Sequence, residues 1–337
     1  ELGEGASPKK GGRKPILLSL NPSSKFVIGV DIGYTNMVVA IGNLKGECLA
    51  KIRVPTVHDH AVERVVNQVI SLIDEMIREA AIQREKILGL GISVAGTVEQ
   101  AQGGVIVFSP DFNWRQVAIA EIVEQKTGFT TIADNCTRVM TRGEIWYGHA
   151  QHVRNMFYIN IGYGIGSAMV VDETIYPNHC ECGHAQITTR DVRCYCGKSG
   201  CLEAVASGQA IERRANEMFA ESDDGWMTPQ KLADKAQQGN LTAQHIFAEA
   251  GRYIGRMTSL VANLFNPDTI IIGGGVALAG DLLLTPILKE FEENTMEGIK
   301  HTTNIEFSAL GMDAGVLGAI ALALNHFVFK QEMITRS

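Results

Sequence analysis

The chain has 337 residues, 45% hydrophobic and 20% charged, a balance that supports a folded core and a length that suggests two domains. A net charge of −7 with a pI near 5.8 excludes nucleic-acid binding by bulk electrostatics over this stretch.

Residues 1–24 are rich in Gly, Pro, Lys and Ser and read as a linker, with a short strand over 16–20. Lys9, Lys10, Arg13 and Lys14 form a small basic cluster, read as solvated linker. KFVIGVDIGYTNMVVAIGN then reads as two strands around a glycine-containing turn at 31–35. Val62, Val65, Val66, Val69, Ile70, Ile73, Met76 and Ile77 recur at helical spacing and predict one amphipathic helix over 61–86. KILGLGISVAGTVE reads as a buried strand ending in a glycine turn, and strand, crossover and strand follow around 115–134. In TIADNCTRVMTRGE (131–144) an apolar stretch runs into Asp134, Asn135 and Cys136 just before a helix. Open α/β sheets place their chemistry at such strand ends. Cys136 there reads as a nucleophile, as the residue left where a reactive group was lost, or as packing.

The second half restarts with YINIGYGIGSAMVV, again a strand, a glycine turn and a strand. Two such hairpins, each opening an α/β half, suggest a duplicated architecture with a cleft between lobes. Helices are expected over 208–220, 228–237 and 241–265. NPDTIIIGGGVALAGDLL then gives a strand, three glycines and a helix. Backbone N–H groups at such turns can cradle phosphate. The nearly uncharged run 314–329 is interrupted by Asn325 and His326 and is shorter than the roughly 20 residues of a membrane span. It reads as a buried helix, and no membrane partner is expected.

Seven cysteines are present, five of them between Cys180 and Cys201. Their odd number and clustering, with no recognisable signal peptide, point to a reducing, cytoplasmic setting and a metal site. His184, Cys194, Cys196 and Cys201 follow the pattern H-x9-C-x-C-G-x-x-G-C. Three thiolates and an imidazole make a closed tetrahedral shell, the arrangement of structural zinc, with no position open for a catalytic water. Gly197 and Gly200 allow the tight turns this requires. Cys180 and Cys182 are not expected to ligate. Glu181 and Glu203 flank the motif, where a metal-fixed loop would present them as acceptors for sugar hydroxyls.

These motifs resemble the ROK family of bacterial sugar kinases and sugar-responsive repressors, over essentially 12–330. The E-x-G-H signature is Glu181-Cys182-Gly183-His184, and C-x-C-G-x-x-G-C-L-E runs from Cys194 to Glu203. The resemblance implies an α/β, actin-like sugar-kinase fold, two lobes around a cleft with a zinc-binding loop. It assigns sugar contacts to Glu181, His184, Glu203 and Asn135. SPDFNW (109–114) is similar to a family segment with Asn where this chain has Asp111, so a contact of different kind is expected there. The expected division is a linker over 1–24, a first lobe of 25–144 plus 313–334, and a second lobe of 145–312 carrying the zinc loop at 179–203.

The departures all fall on phosphoryl transfer. Family kinases carry E-N-D-A-N, whose Asp is the general base; here Cys136 holds that position. Tyr34 replaces a glycine in D-x-G-G-T, and Tyr163 a threonine in G-T-G-I-G. The segment before residue 25 resembles the junction to an upstream winged helix-turn-helix in family repressors. The expectation is therefore a non-enzymatic sugar sensor with no catalytic residue. It would take a monosaccharide effector, bind zinc, form a homodimer or higher oligomer, and reach operator DNA through an upstream domain absent from this chain. Xylose, glucose and N-acetylated sugars are all read by the family. The alternative is an ATP-dependent sugar kinase with an altered base.

Overall fold

The computed structural model describes residues 3–4, 16–17, 19–220 and 225–329. Most of 1–18, with its basic cluster, lies outside them; within them, Ile16–Leu17 pairs antiparallel with Gly3–Glu4.

Two five-stranded sheets organise the chain. The first contains β1 (Phe26–Ile32), β2 (Asn36–Asn43), β3 (Cys48–Pro55), β4 (Ile87–Val94) and, after the small antiparallel sheet β5 (Thr97–Glu99), β6 (Val105–Ser109) and β7 (Trp114–Val117), the strand β8 (Thr131–Asn135). Its order is β8-β4-β1-β2-β3. The second contains β9 (Met156–Ile161), β10 (Ile165–Val171), β11 (Thr174–Ile175), β12 (Thr269–Gly273) and β13 (Asn304–Phe307), in the order β11-β10-β9-β12-β13. In both, the first three strands form antiparallel pairs and the last two join in parallel. The two sheets therefore share one topology, which is the duplication suggested by the two hairpins.

Period-2 alternation separates the two faces of the first sheet. Phe26, Ile28, Val30 and Ile32 of β1 face α1 (Val62–Glu79) and α2 (Ile119–Thr127). Val27 of β1, with Val38 and Ala40 of β2, packs instead on Val316 and Ile320 of the C-terminal helix α10 (Ala314–Leu324). Gly29 and Gly91 admit that helix: a Cβ at either would lie 2.7 Å from Val316 O or 2.2 Å from Ala319 O. The stretch Gly311–Phe329, 19 residues with hydropathy 1.6, is long and apolar enough to cross a bilayer, but nearly all of α10 is buried in the core. The second sheet packs its β9 and β12 residues against α4 (Leu202–Ala206), α5 (Gly208–Met218), α6 (Pro229–Gln237), α7 (Leu241–Phe265) and α8 (Asp281–Asn294).

The helix expected over 61–86 stops at Glu79. Ala81 takes φ +51°, Ala81 N donates to Arg78 O and Ile82 N to Ile77 O, which is a Schellman termination with alanine where glycine is usual. Without a glycine, nothing local announced the stop. The strand, crossover and strand expected around 115–134 are Trp114–Val117, Ile119–Thr127 and Thr131–Asn135, the first strand pairing with β6 in the small sheet and the last joining the main one.

Candidate functional site

A cavity of about 940 Å³ opens between the two sheets, with walls from both halves. At one end lies the cysteine loop. His184, Cys194, Cys196 and Cys201 each offer a ligand atom, all within 4.8 Å of one another. Cys194 Sγ is 3.6 Å from His184 Nδ1, and Cys196 Sγ is 3.6 Å from Cys201 Sγ. A tetrahedral ion with bonds of about 2.0–2.3 Å to one nitrogen and three sulfurs has edges of about 3.5–3.8 Å, so the donor set fits such an ion in chemistry and these two spacings match its edges. Gly197 and Gly200 hold φ of +90° and +78°, the left-handed region the tight turns need. Cys194 N donates to Lys198 O and Gly197 N to Cys194 O. Cys180 and Cys182 are not members of this group.

The structure places Asp111, Asn135, Glu181, His184 and Glu203 on the wall of that one cavity. Asp111 sits in the turn joining β6 to β7, next in sequence to the buried Phe112 and close to the buried Trp114. Burial raises its carboxyl pKa, and the nearby His60 opposes the shift. Glu203 stands at the start of α4 and accepts from Ile165 N at 2.8 Å. Burial pushes it up to about 7, the Ile165 amide pulls it down, and the Asp111 and Glu181 carboxylates push it further up. Asn135 caps α3 (Cys136–Tyr147): its Oδ1 accepts from Thr137 N and Arg138 N, and its Nδ2 donates to Gly96 O at 2.8 Å. Two acceptor positions and one donor are thereby committed, and one amide hydrogen remains for a ligand. His184 turns Nδ1 toward the thiols and Nε2 toward Tyr195 Oη, 2.7 Å away.

Cys136 opens α3 beside Asp31 at the end of β1. Burial pushes its thiol up to about 12, and Asp31 adds to the shift. Asp31 is half-buried, and desolvation pushes it up to about 6, against the pull of the Ser93 hydroxyl, which donates at 2.7 Å, and of Arg53. Arg138 does not activate Cys136. Its guanidinium pairs with Asp134 at 3.1 Å and donates to the carbonyls of Tyr176 and Pro177, tying α3 to the segment after β11. Tyr34 and Tyr163, from the turns after β1 and β9, meet inside the cleft.

Asp31, Tyr195 and the contact between Tyr34 and Tyr163 are features that reading the sequence did not single out as parts of the site. The signal for Tyr195 was its place inside C-Y-C and for Asp31 its place opening the DIGYT turn; for the tyrosine contact it lay only in through-space proximity.

The chain matches the ROK family over residues 27–326. It is 27% identical over 335 residues to the xylose repressor of Caldicellulosiruptor bescii, spanning 96% of this chain and 84% of that protein. It is 30% identical over 315 residues to the glucokinase of Halalkalibacterium halodurans, spanning 88% and 94%. The crystal structure of a ROK family transcriptional regulator, a homolog of the E. coli MLC protein, superposes with a TM-score of 0.80 at 26% identity, covering 92% of this chain and 81% of that one. Regulators and kinases thus stand at similar distances. With a match over most of its length and a shared actin-like sugar-kinase fold, the chain belongs to the ROK family.

Proposed function

We propose that this chain is the monosaccharide-sensing module of a ROK transcriptional regulator and carries no kinase activity. The observation that carries this reading is Cys136. Proton abstraction from a sugar hydroxyl needs a group ready to accept a proton, worth typically 10²–10⁴-fold in rate. A half-buried, desolvated thiol with a pKa of about 12 is ionised in only about one molecule in 10⁵ at pH 7. Within the site as described, Arg138 is engaged elsewhere, and Asp31 is bound to Ser93.

Two further features support the reading. Tyr34 and Tyr163 fill the glycine turns where backbone would have to approach phosphate. The acceptors Asp111, Glu181 and Glu203 suit a neutral polyol and repel a phosphorylated sugar. The tetrad is proposed to hold a structural zinc that fixes the loop presenting Glu181 and Glu203. Sugar bridging the two halves would bias the chain toward a closed state, the population change through which a regulator alters its hold on operator DNA. A homodimer or larger symmetric oligomer is proposed, because a two-fold operator requires two-fold protein symmetry.

The kinase reading is favoured by the glucokinase relative at 30% identity. One experiment separates the two. Calorimetry with free pentoses, hexoses and N-acetylhexosamines, beside a coupled ADP-release assay on the same sugars, should give binding without turnover. Sugar-dependent turnover that disappears in Cys136→Ala would make Cys136 a working base and overturn the sensor reading.

A further inference from the structure

Tyr195 lies between two members of the metal-binding group, Cys194 and Cys196, so its backbone is fixed by whatever holds the thiols. Its ring is 56% exposed and forms part of the cavity wall beside Glu181 and Glu203. It meets the His184 ring edge to face, with centroids 4.9 Å apart and planes at 85°, and its Oη is 2.7 Å from His184 Nε2. The other ring nitrogen, Nδ1, points at Cys194 Sγ.

This geometry sets the direction of the hydrogen bond. A neutral imidazole that turns one nitrogen's lone pair to a metal carries its proton on the other nitrogen. His184 with Nδ1 in the tetrad is therefore Nε2–H and donates to Tyr195 Oη. The tyrosine O–H proton is then directed away from His184, and no second partner for Oη is recorded among the described residues. When ionised, the carboxylates that share this wall can only accept. A sugar also carries a ring oxygen, which cannot donate and needs a donor from the protein.

We propose that Tyr195 is a ligand-contacting residue of this site, its hydroxyl donating to the acceptor-only ring oxygen of a bound monosaccharide while Glu181 and Glu203 accept from the sugar hydroxyls. Filling the tetrad fixes the imidazole tautomer and thereby keeps Tyr195 a donor toward the cavity, which couples the metal loop to recognition without a ligand–metal bond. This rests on the sugar-binding reading above.

The test is Tyr195→Phe in the full chain, measured three ways. Metal content should stay at the parent's value. Affinity for whichever sugar the parent binds best should fall about tenfold, the effect of one hydrogen bond. In ¹⁵N-histidine NMR, the parent's His184 should show a protonated Nε2 and a non-protonated Nδ1, and the Nε2–H should exchange faster in the variant. Unchanged affinity in Tyr195→Phe, loss of metal in the variant, or a His184 protonated at Nδ1 would overturn the proposal. A parent that binds no monosaccharide overturns the sensing reading and the ligand role of Tyr195 together, whereas a binding parent with an indifferent variant overturns only the latter.

Discussion

Tyr34 stacks on Tyr163 across the cleft, with ring centroids 4.3 Å apart and planes inclined by 25°. The two residues come from equivalent hairpin turns of the two halves. His60 packs against Tyr34 at 4.5 Å between centroids, and Gln209 donates to the Tyr163 hydroxyl at 2.7 Å. The Tyr163 turn is also sewn to the start of α5, where Gly208 N and Gln209 N donate to Gly162 O and Tyr163 O. The stack is thus a clasp between the halves and, in the proposed reading, a plug in the phosphate turns. A non-hydrolysable ATP analogue should give no heat of binding at millimolar concentration. Tyr34→Ala should lower the melting temperature by about 2–4 °C, since an aromatic pair contributes about 1 kcal/mol. Tight nucleotide binding by the unmodified chain would contradict the first expectation, and an unchanged melt the second.

In the proposed reading Cys136 stands where family kinases carry their base, and the surrounding turns are altered as well. Cys136→Asp should therefore show no ADP release with any monosaccharide, and Cys136→Ala should retain sugar affinity within about threefold, because a thiol is a weak hydrogen-bonding group. Kinase activity appearing in Cys136→Asp alone would show that the tyrosines do not obstruct phosphate.

The cysteine loop should depend on its ion. Binding free energy at such a site is folding free energy, so Cys196→Ala, or a strong chelator, should remove metal, lower the melting temperature and weaken sugar binding together. Elemental analysis of gently purified protein should find one zinc per chain. Glu181→Ala, which removes an acceptor and no ligand, should abolish sugar binding while zinc and melting temperature stay put. Coincident loss of zinc in Glu181→Ala would assign that carboxylate to the loop's integrity.

Asp31 supplies a pH signature. Its pKa rises from 3.8 to about 6 on folding, so the folded state binds the proton more tightly. Its favourable contribution is fully present below pH 3.8 and is lost as pH rises through about 6. Above that, an ionised Asp31 costs about 3 kcal/mol. Asp31→Asn should therefore stabilise the protein at pH 7.5 and leave it nearly unchanged at pH 4, where other carboxylates dominate both proteins equally. Denaturant unfolding at the two pH values checks this; equal effects at both would show that Asp31 is not a desolvated, proton-retaining acid.

Much of the molecule was legible because its determinants are local. The metal spacing from Cys194 to Cys201 fits within one short loop, and the turn glycines, apolar periods and caps of α5, α6 and α7 lie within their own segments. The repeated hairpin showed the duplication because each copy is continuous in sequence. Tertiary structure decided what depends on two distant segments meeting. Tyr34 and Tyr163 are each visible as replacements, yet their stacking exists only because two similar halves close face to face. Asn135 reads as a ligand contact, and only the fold shows that Gly96 and the first turn of α3 take its oxygen and all but one of its amide hydrogens. Tyr195 looks like a spacer between cysteines until the loop folds its hydroxyl onto His184. In each case the side chain's chemistry is written in its type, but which partner satisfies it is set by packing of elements far apart in the chain, where hydrogen bonds and ring contacts act over only a few ångströms.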